Sequence, residues 1–535
     1  MDIPRSSGVL LHPLSLAGDW PCGTMGEEAR AFIDFCAASG LGWWQILPLG
    51  PTAFGDSPYQ SPSAFAGNPY LISPRLLIEE GLISEGESAR YRSGLGAEDT
   101  LSARNTPAAI DYGRLFSANA ELMRTAWQNY RDSEAPRIGP RRDFAKFKAR
   151  QAYWLDDFTR FMAIKESEGF RAWNEWPQGL RFRDPRALEE FEARHRDDIQ
   201  RIQFTQFLFF SQWRKLREYA SARGVKIVGD IPIFAAFDSA DVWAHPELFI
   251  LDERLEPARI AGVPPDYFTA TGQLWGNPLY RWPAHASQRY AWWIARVRHS
   301  LQLVDALRID HFRGFEAYWS VDAGEPTAER GHWEKGPGSA LFSALEAELD
   351  ELPIIAEDLG FITPEVIALR DSLGFPGMRI LQFAFETDHD NLDYPHNYPQ
   401  HCVAYTGTHD NDTARGWFVH AAPPARARAR AYLGATARTI SWKMIRAVWA
   451  SAASLAIAPM QDFLGAGSEA RMNLPGTSGW WRWRMTARDT SARLAHEINR
   501  LSRACFRASG GSIPQQEAHS VPSATTTPPH QTNSR

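Results

Sequence analysis

With 535 residues, 44% of them hydrophobic, the chain is long enough for one large core or two ordinary ones. A formal net charge of −6 gives no electrostatic reason for a nucleic-acid or anionic-membrane partner, and no apolar run approaches membrane-spanning length. Four cysteines far apart (Cys22, Cys36, Cys402, Cys505) make neither a zinc-type spacing nor a disulfide framework, which points to a reducing, cytoplasmic setting.

At the N-terminus, Arg5 followed by Val9-Leu10-Leu11 faintly resembles a signal peptide. The apolar stretch is short and is cut by His12 and Pro13, so it reads as a strand. Further aliphatic runs bounded by Gly, Pro and Asp give eight buried-strand candidates, at 9–11, 43–47, 225–230, 304–309, 354–357, 378–383, 402–405 and 455–460. Segments with helical spacing lie between them, at 27–38, 204–222, 288–301, 339–349, 364–373 and 440–453. In the last, Ile440, Met444 and Val448 recur every four residues and give one apolar face. Thr363-Pro364 is a helix start, a hydroxyl N-cap followed by proline in the first helical turn.

Eight strands alternating with helices predict an α/β chain folded as a (β/α)8 barrel over residues 1–508. Two gaps are too long for ordinary loops. Residues from about 70 to 200 read as a mostly helical insertion after the second strand, with its clearest helix at 144–169. Residues from about 234 to 286, rich in Pro, Gly and aromatics, read as loops over the active face, and 509–535 as a disordered tail.

Several carboxylates fall at the downstream ends of these strands, where a barrel of this kind carries its catalytic groups. Asp310 ends the run Leu307-Arg308-Ile309, and alternation turns Arg308 to the same side. A guanidinium there favours an ionised, nucleophilic carboxylate; an ordinary ion pair at a strand end is the plainer alternative. Glu357 follows the apolar 353–356, where burial would raise its pKa as a general acid requires. Its neighbour Asp358 is a rival that alternation sends to the opposite face, better suited to capping the next helix. Asp410 lies in Gly407-Thr408-His409-Asp410-Asn411-Asp412, which lacks calcium-loop spacing and suits a sugar-clamping pair with His409. Asp388 and Asp390 read as a solvated loop, the arginines 426, 428 and 430 as a solvated helix face, and Asp230 as a structural strand-end acid. Two carboxylates facing one substrate are what glycosidic-bond chemistry needs. The loops 55–60 and 264–278 add aromatic platforms and amide donors, suited to sugar rings unless those aromatics only pack their own loops.

Taken together, Trp43-Trp44-Gln45-Ile46-Leu47-Pro48-Leu49-Gly50-Pro51, Gly55-Asp56-Ser57-Pro58-Tyr59-Gln60, Gly229-Asp230-Ile231-Pro232, the run 264–278, Arg308-Ile309-Asp310-His311-Phe312-Arg313-Gly314 and Gly407–Asp412 resemble the amylomaltase family of 4-α-glucanotransferases. The resemblance implies a retaining transfer from an α-1,4-glucan donor to glucose or a maltodextrin, with no metal or organic cofactor. It further implies Asp310 as nucleophile, Glu357 as acid/base and Asp410 as the acid that binds and distorts the sugar ring. Arg308 and His409 would line the same subsite, and Tyr59, Asp266, Phe268, Gln273, Trp275 and Asn277 would hold the glucan. The chain departs from the family pattern at the turn Cys22-Gly23-Thr24-Met25-Gly26, at Phe54 and at Gly479-Trp480-Trp481. An amylase-type hydrolase would share the acids, whereas a catalytically silent glycan-binding protein would have lost Asp310 or Glu357.

Overall fold

The computed structural model describes residues 3–94, 109–133, 141–265 and 270–509. In chain order its strands are β1 (Ser6–Leu10), β2 (Trp43–Gln45), β3 (Lys226–Pro232), β4 (Arg259–Val263), β5 (Gln273–Pro278) and β6 (Ala306–Asp310), followed by β7 (Ala317–Asp322), β8 (Gly331–Lys335), β9 (Ile354–Ala356), β10 (Gly377–Ile380), β11 (Cys402–Tyr405) and β12 (Leu455–Pro459). Eight of them form one parallel sheet in the order β10-β11-β12-β1-β2-β3-β6-β9. Its two ends meet where Ala356 N–H donates to the Pro376 carbonyl at 3.0 Å. Asp358 reinforces the joint by accepting from Met378 N–H at 2.6 Å while holding the Arg370 guanidinium. The fold is thus a (β/α)8 barrel, and its strands are the eight expected from the aliphatic runs.

Period-2 alternation divides each strand between two cores. Trp43, Val228, Ala306, Ile355, Met378, Val403, Tyr405 and Ile457 fill the barrel interior. Trp44, Ile227, Leu307, Ile354, Ala404 and Ala456 face the surrounding helices. Continuing the inward phase one step beyond Val228, Ala306 and Ile355 brings out Asp230, Arg308 and Glu357, and a second step along β6 brings out Asp310. The apolar filling of the barrel therefore ends in charge at its C-terminal mouth.

Helices flank the ring near the expected positions, including Glu27–Ala38, Ser339–Glu348 and Ile440–Ala450. The helix expected from 204 begins at Arg196, where Asp197 and Asp198 occupy a first turn that favours negative charge. The helix Pro364–Ser372 starts as expected, but Thr363 makes no side-chain cap bond. The run 378–383 does not stay extended: it turns into a short helix at Leu381–Ala384.

Between β2 and β3 lie the helices Pro74–Glu79, Glu85–Gly94, Tyr112–Asp132, Arg141–Ser167 and Pro185–Arg194. They cohere through aromatic contacts such as Tyr130 against Phe204, with ring centroids 4.4 Å apart. Arg196–Ala222 joins them to the barrel, and its Trp213 donates to the Leu303 carbonyl at 2.9 Å.

The segment expected as loops, 234–286, is instead structured. It supplies β4 and β5 and the helices Ala240–Ala244 and Trp282–Ser287. β4 pairs with β7 from beyond β6, giving an antiparallel sheet in the order β5-β4-β7-β8. Excursions after two neighbouring barrel strands thus build one sheet between them.

On the opposite side of the ring, β1 pairs with β12 from Ser6 against Leu455 to Leu10 against Pro459. Arg507, 1% exposed, donates to the carbonyls of Trp449 (2.6 Å), Ser6 (2.9 Å), Ser451 (3.1 Å), Ala453 (2.7 Å) and Ser454 (3.1 Å). All four cysteines are free, three of them buried. Among the described residues no helix is long and apolar enough to cross a membrane.

Candidate active site

Register places the first polar layer at the barrel mouth: Asp230 lies beside Arg308, and Pro232 beside Asp310. Arg308, 3% exposed, bridges two carboxylates, donating to Asp230 Oδ2 and to Asp310 Oδ1 at 2.6 Å each. A planar fork suits this double contact better than an ammonium would. Burial raises Asp230 to about 7 against the pull of Arg308. The Tyr59 hydroxyl also donates to Asp230 Oδ2, at 2.9 Å. The side chain of Asp310 stays 30% exposed, so the carboxylate reaches the open mouth with one oxygen held.

Glu357 is built differently. It is buried at the end of β9, and its oxygens accept from backbone N–H groups, of His311 at 2.7 Å and of Leu359 at 2.9 Å. Burial, and after it the charge of Asp310, pushes its pKa well above the ordinary carboxylate range despite those bonds. The link through His311 requires a left-handed backbone (φ 57°), a conformation costly for a non-glycine residue and concentrated at functional sites. Burial holds His311 neutral, near 3, and Trp275 meets its ring edge-on at 4.8 Å. Asp358 takes the opposite side into the barrel seam, as alternation implied.

Asp410 reaches the same mouth from the loop after β11. Asn473 Nδ2 donates to its Oδ1 at 2.6 Å, Arg471 to its backbone carbonyl at 2.7 Å, and His409 Nε2 lies 3.4 Å from Oδ2. The His409 ring stacks on Tyr59 at 5.2 Å and 16°, and Trp481 packs against both. The rest of that turn closes on itself: Asn411 accepts from Thr408, and Asp412 from Ser468. Asp390 is likewise engaged, by His396 and Asn397.

Residues of the 264–278 loop divide. Trp275 faces the site, and its indole N–H meets Gln273 at 3.2 Å. Asn277 is buried and its amide is engaged by the Ala235 carbonyl and Gln60, a bracing rather than an open position. Asp266 and Phe268 lie outside the described residues. Sequence reasoning missed Asn473 and Arg471, and met Trp481 only within the Gly479-Trp480-Trp481 departure from the family pattern. They come from one irregular loop with no period, and the only available signal was a polar and aromatic cluster among glycines and a proline.

Comparison with known proteins agrees with this architecture. The 4-alpha-glucanotransferase family matches residues 11–490. The chain is 46% identical over 516 residues to the 4-alpha-glucanotransferase of Thermus thermophilus, spanning 95% of this chain and 100% of the relative. It is 44% identical to that of Clostridium butyricum, over 92% of this chain and 99% of the relative. Among solved structures, amylomaltase from Streptococcus agalactiae in complex with acarbose superimposes with a TM-score of 0.88 at 39% identity, covering 94% of this chain and 100% of that one. Amylomaltase from Corynebacterium glutamicum, 19% identical with a TM-score of 0.75 over 93% of this chain and 75% of that one, shares the fold. With matches this extensive along its length, the chain belongs to the 4-alpha-glucanotransferase family.

Proposed function

We propose that the chain transfers a segment of an α-1,4-glucan to glucose or a maltodextrin, by retaining double displacement through a covalent glycosyl-enzyme. The observation that carries this reading is the contrast between two neighbouring carboxylates. Asp310 is half-held by Arg308 and open to the mouth, whereas Glu357 is buried with its pKa raised. Environments that separate two acids in this way assign them separate roles.

In the first step Asp310 attacks the anomeric carbon while Glu357 gives its proton to the departing glycosidic oxygen. In the second, the carboxylate of Glu357 takes the proton of an acceptor hydroxyl, which displaces Asp310 and restores the anomeric configuration. Arg308 orients the nucleophile through the Asp230 side, and Asp410, fixed by Asn473, takes hydroxyls of the sugar at the cleavage point. His409, Tyr59, Gln273 and Trp275 line the path of the glucan, Asp266 and Phe268 serve as further glucan-binding residues, and Asn277 holds Gln60 in place. Residues 1–508 act as one catalytic unit, and the free cysteines suit a cytoplasmic setting.

The test is incubation with maltotriose, following products by chromatography and counting reducing ends. Longer maltodextrins plus glucose at constant reducing ends are expected. Rising reducing ends with only shorter products would make the enzyme a hydrolase instead.

A further inference from the structure

A second aromatic system stands beside the catalytic loops and has no part in the chemistry above. Phe361 follows Glu357 by four residues, and Gly360 turns the chain (φ 80°) so that Phe361 stands 65% exposed. Its ring is stacked on Trp333 of β8 at 6.0 Å and 20°, and Trp333 in turn meets Trp319 of β7 at 5.2 Å. Three rings therefore step from the antiparallel sheet toward solvent.

Arg313 fastens this platform to the other catalytic loop. It lies three residues past Asp310, is 4% exposed, and sets its guanidinium 3.7 Å over the Trp333 ring. The same side chain donates to the carbonyls of Phe361 and Ala317. A buried cation thus holds the Phe361 backbone by its carbonyl and lies 5.8 Å from the centroid of the ring, which stays open to solvent on its stack with Trp333. Four residues of chain reach at most about 14 Å, so the platform lies within a few sugar units of Glu357.

We propose that Phe361, seated on Trp333 and pinned by Arg313, is an outer glucan subsite that selects for longer α-1,4-glucan chains. Rigid aromatic faces suit the C–H faces of glucose rings, and the tie to both catalytic loops keeps this subsite in register with the point of cleavage. The inference rests on the glucanotransferase reading of the mouth.

The experiment compares Phe361→Ala with Phe361→Trp and wild type in the full chain. The carbonyl that Arg313 holds is unaffected by either substitution, so both variants should fold. The ratio of KM for maltoheptaose to KM for maltotriose should rise several-fold in Phe361→Ala, with kcat little changed, and return toward wild type in Phe361→Trp. Calorimetric titration of maltoheptaose into Asp310→Asn, with and without Phe361→Ala, reads the same contact without turnover and should show about five-fold weaker binding. An unchanged KM ratio, equal losses on both chain lengths, or unchanged binding would overturn the proposal. Wild-type turnover by Asp310→Asn would instead sink the reading of the catalytic acids, and the ratio of KM values in Phe361→Ala and Phe361→Trp would still decide the role of Phe361.

Discussion

Asp310 and Glu357 end adjacent inward-facing files, yet the protein treats them oppositely: one meets a guanidinium, the other two backbone N–H groups and burial. Asp310→Asn and Glu357→Gln should each reduce transfer from maltotriose by orders of magnitude while leaving the thermal unfolding transition in place. Near-normal turnover in either variant would contradict the assigned roles. Because the raised pKa of Glu357 preserves its proton, kcat/KM should fall on the alkaline side only well above the ordinary carboxylate value of about 4.3. The sign for stability follows: the folded chain binds this proton more tightly than the unfolded one, so that contribution is full at low pH and is lost as pH rises through the shifted value. Asn473→Ala removes a 2.6 Å bond to Asp410, and a charged hydrogen bond contributes about 1.5–3 kcal/mol, so kcat/KM should drop about 10- to 100-fold. Of these residues, the acids were legible because strand ends declare themselves by an aliphatic run stopping at a carboxylate. Asn473 was not, because its partner lies 63 residues away, on the loop after the neighbouring strand β11, and no local pattern encodes that meeting.

Barrel strands are recognisable as elements because burial on both faces demands unbroken aliphatic runs. The second sheet lacked that signature. β4 carries a register break between Ile260 and Gly262, and its neighbour β7 lies beyond an intervening barrel strand, so no hairpin turn advertises the pairing. What reads as irregular loop becomes ordered only through a partner distant in sequence. The same dependence on remote contact governs the segment that carries Tyr59 toward the mouth. Gly67 passes so close to the helix Arg196–Ala222 that a Cβ there would fall 2.0 Å from Phe209. Gly67 N–H and C=O are also bonded to Gln206, at 2.8 and 3.0 Å. Gly67→Ala should therefore destabilise the fold by about 1–3 kcal/mol, read as a lowered midpoint in chemical denaturation, since neither side can yield freely.

For the whole molecule, closure of the ring depends on a few polar joints. Asp358, adjacent in sequence to Glu357 but turned the other way, holds Met378 N–H and Arg370 at the seam between β9 and β10. Asp358→Ala would leave the Met378 N–H without its acceptor while Arg370, partly exposed, keeps Asp371, a loss of about 1–3 kcal/mol that equilibrium unfolding should register. A variant unfolding like the wild type would show that the seam is held otherwise. The opposite joint, where Arg507 gathers carbonyls from both ends of the chain, bears on how the protein is made. During synthesis β1 leaves the ribosome first, yet its neighbour β12 and the arginine that fastens them come last. At about 5–20 residues per second, β1 waits on the order of tens of seconds with one edge unpaired. Newborn chains are therefore candidates for chaperone shelter, and a message cut short before Leu455 would yield a polypeptide that holds Asp310, Glu357 and Asp410 but lacks the strand β12 that stands between β11 and β1 in the ring.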